Sequence, residues 1–248
     1  IVVSRCPDGD TNVWRLGENK VRTEIIPQEE KENPLQITRT DANISAHENL
    51  ISGTVKNREL NITFPTKISA LALNPKGDAL AVGSKDSLFK ITQARLYRMD
   101  ALDQPIALHH RDGINHITFS NAGDKLVTSS EDFSAILWDA TTGKQIGKSM
   151  RHRWQVVWAC FSSDDKWVAT VGWDDCAMVW DAATGEPLTA PMKLNEALEQ
   201  IEFAPGDDSL RIHGRRNMHR VDLPIAPLPL SQYARRFATT LELSRESR

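Results

Sequence analysis

The sequence predicts an all-β chain of short four-stranded sheets repeated radially about an axis, and three observations predict it. The first is a doubled text: Leu126-Val-Thr-Ser-Ser-Glu-Asp-Phe-Ser-Ala-Ile-Leu-Trp138-Asp-Ala-Thr-Thr-Gly143 returns as Val168-Ala-Thr-Val-Gly-Trp-Asp-Asp-Cys-Ala-Met-Val-Trp180-Asp-Ala-Ala-Thr-Gly185. The second is the interval. The two Trp-Asp pairs stand 42 residues apart, and steps of 41 or 42 reach Tyr97, Val55 and Trp14 upstream and Val221 downstream, each aromatic or β-branched. The third is texture: apolar runs of strand length punctuated by Gly, Asp and Pro turns. A unit this short cannot bury its own faces, so neighbours must stack, which is the architecture of a β-propeller.

Six blade-equivalents follow, near residues 1–26, 35–64, 68–110, 114–150, 156–194 and 198–223, the first and last incomplete. The strands of a unit are lettered a to d. In the first unit Ile1 to Arg5 is strand b, Asn12 to Leu16 strand c and Val21 to Ile26 strand d, with Cys6-Pro-Asp-Gly-Asp10 as a turn. Pro27 to Pro34 is a charged surface loop. The second unit is degenerate, with four short alternating runs at Leu35 to Thr40, Ala42 to Ala46, Leu50 to Val55 and Glu59 to Phe64.

The third unit is clearer. Ile68 to Leu73 is strand a, Asn74-Pro-Lys-Gly-Asp78 a turn, Ala79 to Ser84 strand b, and Ala94 to Met99 strand c after an enlarged loop. In the fourth and fifth units, strands a are Ile114 to Ser120 and Val156 to Phe161. Strands b are Lys125 to Ser130 and Trp167 to Gly172, strands c Ala135 to Asp139 and Ala177 to Asp181, and strands d Gln145 to Met150 and Pro187 to Met192. The sixth supplies Glu199 to Phe203, Ser209 to His213 and Met218 to Leu223, without an evident strand d. Residues 224–248 are expected to form a Pro-rich extended linker, Pro224 to Pro229, and a short helix with Leu230, Tyr233, Phe237 and Leu241 on one face.

Bulk properties narrow the function classes. A net charge of −3 with 25% charged residues gives no push toward nucleic acid or an anionic membrane. Cys6, Cys160 and Cys176 lack metal-ligand spacing and fit free thiols in a reducing compartment, so a cytoplasmic location is expected. No apolar run approaches the roughly 18 to 20 residues of a membrane helix. The chain starts within a strand, at Ile1, which reads as a piece of something longer.

One constellation recurs with the repeat. His110, Thr128, Asp132 and Trp138 have the same spacing as His152, Thr170, Asp174 and Trp180, with 22 residues from His to Asp and 6 from Asp to Trp. Ser4, Asp8 and Trp14 keep that register in the first unit. With its Trp-Asp repeats, the chain resembles the WD40 repeat family. The resemblance implies that each set is a structural tetrad across one sheet: the hydroxyl accepts the indole N–H and donates to the imidazole, and the carboxylate holds the other ring nitrogen. An upstream strand a with its His is then expected, for a whole of about seven blades. The third and sixth units depart from the pattern, with Phe64, Val82, Asp86 and Tyr97 in one and Leu194, Ile212 and Arg216 in the other. They are expected to be held by apolar packing alone.

Chemistry is not expected. A His, a hydroxyl and an Asp that recur blade by blade are not a hydrolase triad, because a nucleophile site occurs once. Gly143-Lys-Gln-Ile-Gly-Lys-Ser149 imitates a phosphate-binding loop, but the motif needs Gly where Thr142 stands and a helix afterwards. The pairs Asp164-Asp165, Asp174-Asp175 and Asp207-Asp208 read as turn residues. No cofactor or metal is implied.

The expected function is therefore a non-enzymatic scaffold for other proteins or peptides, with no nucleic acid and no membrane. The candidate partner-binding residues are Arg151, Arg153, Trp154, Trp173 and Phe133, on loops that share one rim, with His109 and Arg111 nearby. Exposed Trp and Arg together are what binding hot spots use; the alternative is that Trp154 and Trp173 simply pack on adjacent loops. The basic run Arg211 to Arg220 reads either as an anion-binding patch or as a charged edge strand that discourages pairing. A tail like this one resembles those of large bacterial WD-repeat proteins. The second functional reading, by analogy, is the docking region of a bacterial Ser/Thr protein kinase.

Overall fold

The computed structural model describes residues 2–5, 11–14, 35–85 and 94–223, and every regular element within them is an antiparallel β-strand. The expected C-terminal helix, the Pro-rich linker, strand d of the first unit, Asp8 and Asp86 lie outside the described residues. None of the described residues forms a helix long and apolar enough to cross a membrane.

Six sheets follow one another along the chain. The first pairs β1 (Val2–Arg5) with β2 (Thr11–Trp14). The second comprises β3 (Leu35–Arg39), β4 (Ala42–His47), β5 (Leu50–Val55) and β6 (Arg58–Thr63). The third comprises β7 (Ile68–Leu73), β8 (Ala79–Ser84), β9 (Ala94–Arg98) and β10 (Ala101–Leu108). The fourth runs β11 (Ile114–Phe119), β12 (Lys125–Ser130), β13 (Ser134–Asp139) and β14 (Gln145–Arg151). The fifth runs β15 (Val156–Phe161), β16 (Trp167–Gly172), β17 (Cys176–Asp181) and β18 (Met192–Lys193). The sixth has three strands among the described residues: β19 (Leu198–Phe203), β20 (Ser209–Gly214) and β21 (Met218–Asp222).

Each four-stranded sheet is a simple meander, because tight turns can join only neighbouring antiparallel strands. The first strands of the sheets, β3, β7, β11, β15 and β19, lie side by side in chain order, as propeller blades do around an axis. The six anchors found by interval occupy one register. Trp14, Val55, Tyr97, Trp138, Trp180 and Val221 pair with Val2, Ala42, Leu80, Leu126, Val168 and Leu210 respectively.

Apolar packing sits between the sheets. One cluster joins Ile44, Ile51, Phe64, Leu80 and Tyr97 across the second and third sheets. The next sets Leu96 and Leu108 against Ile117, Leu126 and Trp138. A third joins Leu137 and Met150 to Val168 and Trp180, and a fourth joins Val171 and Val179 to Ile201 and Ile212. Strand β8 is buried at every position because both its faces are covered, whereas β4 alternates buried with exposed or half-buried positions.

The sheets are also tied by polar contacts that repeat with the period. Strands β7, β11, β15 and β19 each shift register after their first residue. Such a bulge re-aims one side chain. Ser69 Oγ thereby donates to the Ile114 carbonyl at 2.6 Å, and Asn115 Nδ2 to the Val156 carbonyl at 2.9 Å. Val157, in the same slot, has no donor to offer Leu198.

The turns between strands a and b carry a second tie. The Asp165 carboxylate accepts the backbone N–H groups of Asn121 at 2.7 Å and Ala122 at 2.8 Å, and Asp207 accepts that of Ser163 at 2.9 Å. Both aspartates have left-handed backbones, φ 58° and 57°. The paired carboxylates thus serve turns, where Asp tolerates that conformation.

Two expectations about strands need correction. The third sheet has a fourth strand, β10, that the sequence reading did not place. The fourth strand of the fifth sheet is not continuous from Pro187 to Met192: Pro187 makes an isolated bridge to Trp180, and regular pairing resumes only at β18. Proline lacks the N–H a ladder requires. Thr189 compensates, its hydroxyl accepting the Val179 N–H at 3.0 Å.

Candidate functional site

The two complete constellations converge in the fourth and fifth sheets. Thr128, on β12, faces the interior, and Trp138, ten residues on across the hairpin to β13, points its indole at it. Trp138 Nε1–H donates to Thr128 Oγ1 at 2.8 Å, and the same hydroxyl lies 2.6 Å from His110 Nε2. On the far side of the ring, His110 Nδ1 lies 2.9 Å from Asp132 Oδ2. The second set repeats this geometry: Trp180 Nε1 to Thr170 at 2.8 Å, Thr170 to His152 Nε2 at 2.8 Å, and His152 Nδ1 to Asp174 at 3.0 Å.

The indole has one proton to give and nothing to accept, which fixes the order of donors. The threonine hydroxyl accepts it and donates to His Nε2, leaving Nδ1–H for the carboxylate. Both His side chains have no solvent exposure. Burial alone would raise the Asp132 carboxyl. The bonds from His110, Ser134 and the Arg111 amide outweigh burial and hold it well below the usual carboxylate range. Asp174 is lowered in the same way, burial being opposed by His152 and the Arg153 amide.

Chemically, these networks fix loops. Asp132 reaches back from the turn between β12 and β13 to hold His110 and the Arg111 N–H, and so pins the β10–β11 connection. Asp174 pins the connection carrying Arg153 and Trp154 through the Arg153 N–H at 2.9 Å. The chain thereby presents aromatic side chains on rigid backbone. Phe133, in a left-handed conformation at φ 69°, is 41% exposed, Trp154 53% and Trp173 46%.

Trp154 stacks on Phe133 of the preceding turn, with centroids 5.7 Å apart and planes 21° from parallel, while the Trp173 amide donates to the Gln155 carbonyl. Trp154 therefore finds its ring partner in Phe133 while keeping about half its surface exposed. Arg111, Arg151 and Arg153 are all exposed.

Of the first-unit residues, Ser4 pairs with Asn12 on the backbone, two places from the Val2–Trp14 pair, the register of Thr128 and Thr170. The third unit lacks the polar set: Phe64, Val82 and Tyr97 are buried in one apolar cluster.

The sixth unit corrects the expectation of apolar packing alone. Glu196, in the connection before β19, accepts from His219 Nε2 on β21 and from the Arg216 amide at 2.9 Å. Here the acid comes from the connection before strand a and the imidazole from strand c, neither at the position its counterpart holds in the fourth and fifth sheets. In the basic run Arg211 to Arg220, Arg211 pairs with Glu202 at 3.3 Å and Arg220 with Asp222 at 3.0 Å. The run lies on β20 and β21, the last two strands of this sheet among the described residues, with its charges answered by carboxylates of the same sheet.

The phosphate-loop imitation is likewise structural. Gly143 closes a turn at φ 67°, and Gly147 sits at φ 60° in a register shift of β14. A Cβ there would come 2.2 Å from the Thr184 carbonyl oxygen. Sequence reasoning also missed Ser134, whose hydroxyl bonds Asp132, and His116, which stacks on Trp158. Ser134 was findable, since it falls in the slot of Cys176 in the repeat. Among the described residues no group of His, Cys, Asp and Glu is arranged to hold a metal ion.

The family model for the WD domain, G-beta repeat, matches residues 104–139 and 143–181. These windows begin in or just before the last strand of one sheet and end with the third strand of the next, so the sequence repeat is offset from the blade. The chain is 35% identical over 79 residues to Retinoblastoma-binding-like protein E of Dictyostelium discoideum. That match covers 32% of this chain and 14% of that protein's length. With repeated Trp-Asp strands and meandering sheets in one register around them, residues 104–139 and 143–181 are two WD40 repeats.

Proposed function

We propose that this chain is a non-catalytic scaffold and that the rim carrying Phe133, Trp154 and Trp173, flanked by Arg151 and Arg153, receives a partner protein. The observation that carries the reading is the exposure of three large aromatic rings on loops immobilised by buried His–Asp pairs. Rigid aromatics lose little side-chain entropy on binding, and Arg beside them adds fork-shaped hydrogen bonding. The Asp–His–Thr sets are committed to satisfying one another, so their own hydroxyls and imidazoles are not free for a substrate. Replacing Trp154 and Trp173 together by Ala tests the reading: partner capture is expected to be lost while the melting curve and circular dichroism stay unchanged. Undiminished capture by the double variant would remove this rim.

A further inference from the structure

The opposite rim, formed by the turns between strands a and b and between strands c and d, carries a groove of about 610 Å³. Turns from the second, third and fourth sheets line it, and they bring four cations to one concavity: Lys56 and Arg58 at the β5–β6 turn, Lys76 before β8, and Arg98 at the end of β9. Three carboxylates, Asp78, Asp100 and Asp124, share the lining.

The local pairings leave an imbalance. Arg98 is engaged with Asp100, Nε at 3.2 Å and Nη2 at 3.1 Å. Asp78 is turned inward to the Asn74 side-chain amide, and Asp124 to the Ser120 hydroxyl at 2.9 Å, with Lys125 beside it. Arg58 gives one N–H to the Met99 carbonyl at 3.3 Å, which sets its guanidinium across the boundary between two sheets. Lys56 and Lys76 have no ion-pair partner among the described residues. The stem of Lys56 runs over Gly77, where a Cβ would stand 3.2 Å from its Cε. The neighbouring Asp41 is already taken by Arg39, Nε to Oδ1 at 3.2 Å.

Two point charges and a forked guanidinium around a small concavity suit a compact dianion better than carboxylates spread along a peptide. A groove of that size admits a short stretch of chain rather than a whole domain surface, so the anion would arrive on a segment. We propose that this groove docks a phosphorylated segment of a partner protein, separately from the aromatic rim.

The test is a titration followed at the backbone amides of Lys56, Gly77 and Asp100 by nuclear magnetic resonance. The probes are inorganic phosphate and two Gly/Ser heptapeptides that differ only in a central phosphoserine or aspartate. The phosphoserine peptide is expected to shift these amides and to bind at least about tenfold more weakly to the Lys56→Glu/Lys76→Glu variant and at high salt. Binding to the Trp154→Ala/Trp173→Ala variant should be unchanged. A milder Lys56→Ala/Lys76→Ala pair guards against misfolding and should weaken binding in the same direction. Equal binding of the aspartate peptide, indifference to the lysine variants, or binding of free phosphate with exclusion of the phosphopeptide would each overturn the proposal.

Discussion

The imidazole of His116 lies flat on the indole of Trp158, ring centroids 3.6 Å apart and planes 14° from parallel, at the seam between the fourth and fifth sheets. His116 is buried on β11, and burial pushes its pKa down to about 3. The folded chain therefore holds it neutral, while the unfolded chain takes up a proton below its ordinary value of 6.5. Its contribution to stability is complete above that value and is lost as pH falls from there toward 3, by up to about tenfold in the folding equilibrium per pH unit. Urea unfolding at pH 7 and pH 4.5 should show this loss in the parent chain. His116→Phe, which keeps a flat ring on Trp158, should show a smaller one.

The Thr128 hydroxyl serves two partners at once, and removing it strands both. Thr128→Val preserves shape but leaves the Trp138 N–H and the His110 Nε2 position without their acceptor and donor. A loss of about 2–4 kcal/mol is expected by denaturant unfolding, larger than that of Thr118→Val on the neighbouring strand. Trp138→Ala should cost about 3–5 kcal/mol by opening a cavity.

Asp132 and Asp174 are both depressed carboxylates, so their contribution has the opposite approach to acid from an elevated group. It is present above the ordinary carboxylate pKa of 3.8 and disappears as pH falls through the lower folded values. Asp132→Asn should lower stability at pH 7 and flatten the acid limb of the stability profile below about pH 4. A variant whose acid limb stays as steep as the parent's would separate Asp132 from this role.

Gly147 is the sharpest steric test. Its φ of 60° and its approach to the Thr184 carbonyl both demand the absence of a side chain. Gly147→Ala is expected to destabilise by more than the roughly 1–2 kcal/mol of the backbone conformation alone. Gly206→Ala should cost only the conformational part, since nothing lies within 4 Å of its Cβ position.

Asn115→Ala removes the bulge tie to Val156 and should cost about 1 kcal/mol. Installing the missing donor, as Val157→Asn, should recover a comparable amount at the next seam, and thermal melts of the two variants check both signs.

How far the chain was legible from its residues depends on what each position had to satisfy. Trp138 and Trp180 announce themselves because an indole buried with a polar N–H requires a fixed set of partners at fixed spacing. Strands β3 to β6 read as a blurred alternation because alternate positions are exposed, so half their residues, such as Gln36, Asn43 and Asn61, stay polar. Glu196 and His219 were illegible because this closure uses positions that carry no polar partner in the neighbouring repeats: His219 stands where the fifth sheet has Met178. The His116–Trp158 stack had no signal at all, since the corresponding inner-strand positions hold Ala70 and Gln200 and the pairing exists only between neighbouring sheets.

The cross-sheet ties are unevenly shared. Between the third and fourth sheets there is the Ser69 bond, but Pro75 has no N–H and Gly123 no carboxylate for the turn tie; between the fifth and sixth the Ser163–Asp207 bond remains, but Val157 is silent. The boundary between the fourth and fifth has both bonds and the Gly147–Thr184 approach as well. Where neighbouring sheets supply most of each other's contacts, cohesion is set seam by seam. The amides of β12, β13, β15 and β16, which flank the most heavily tied seam, should therefore be the slowest to exchange with deuterium.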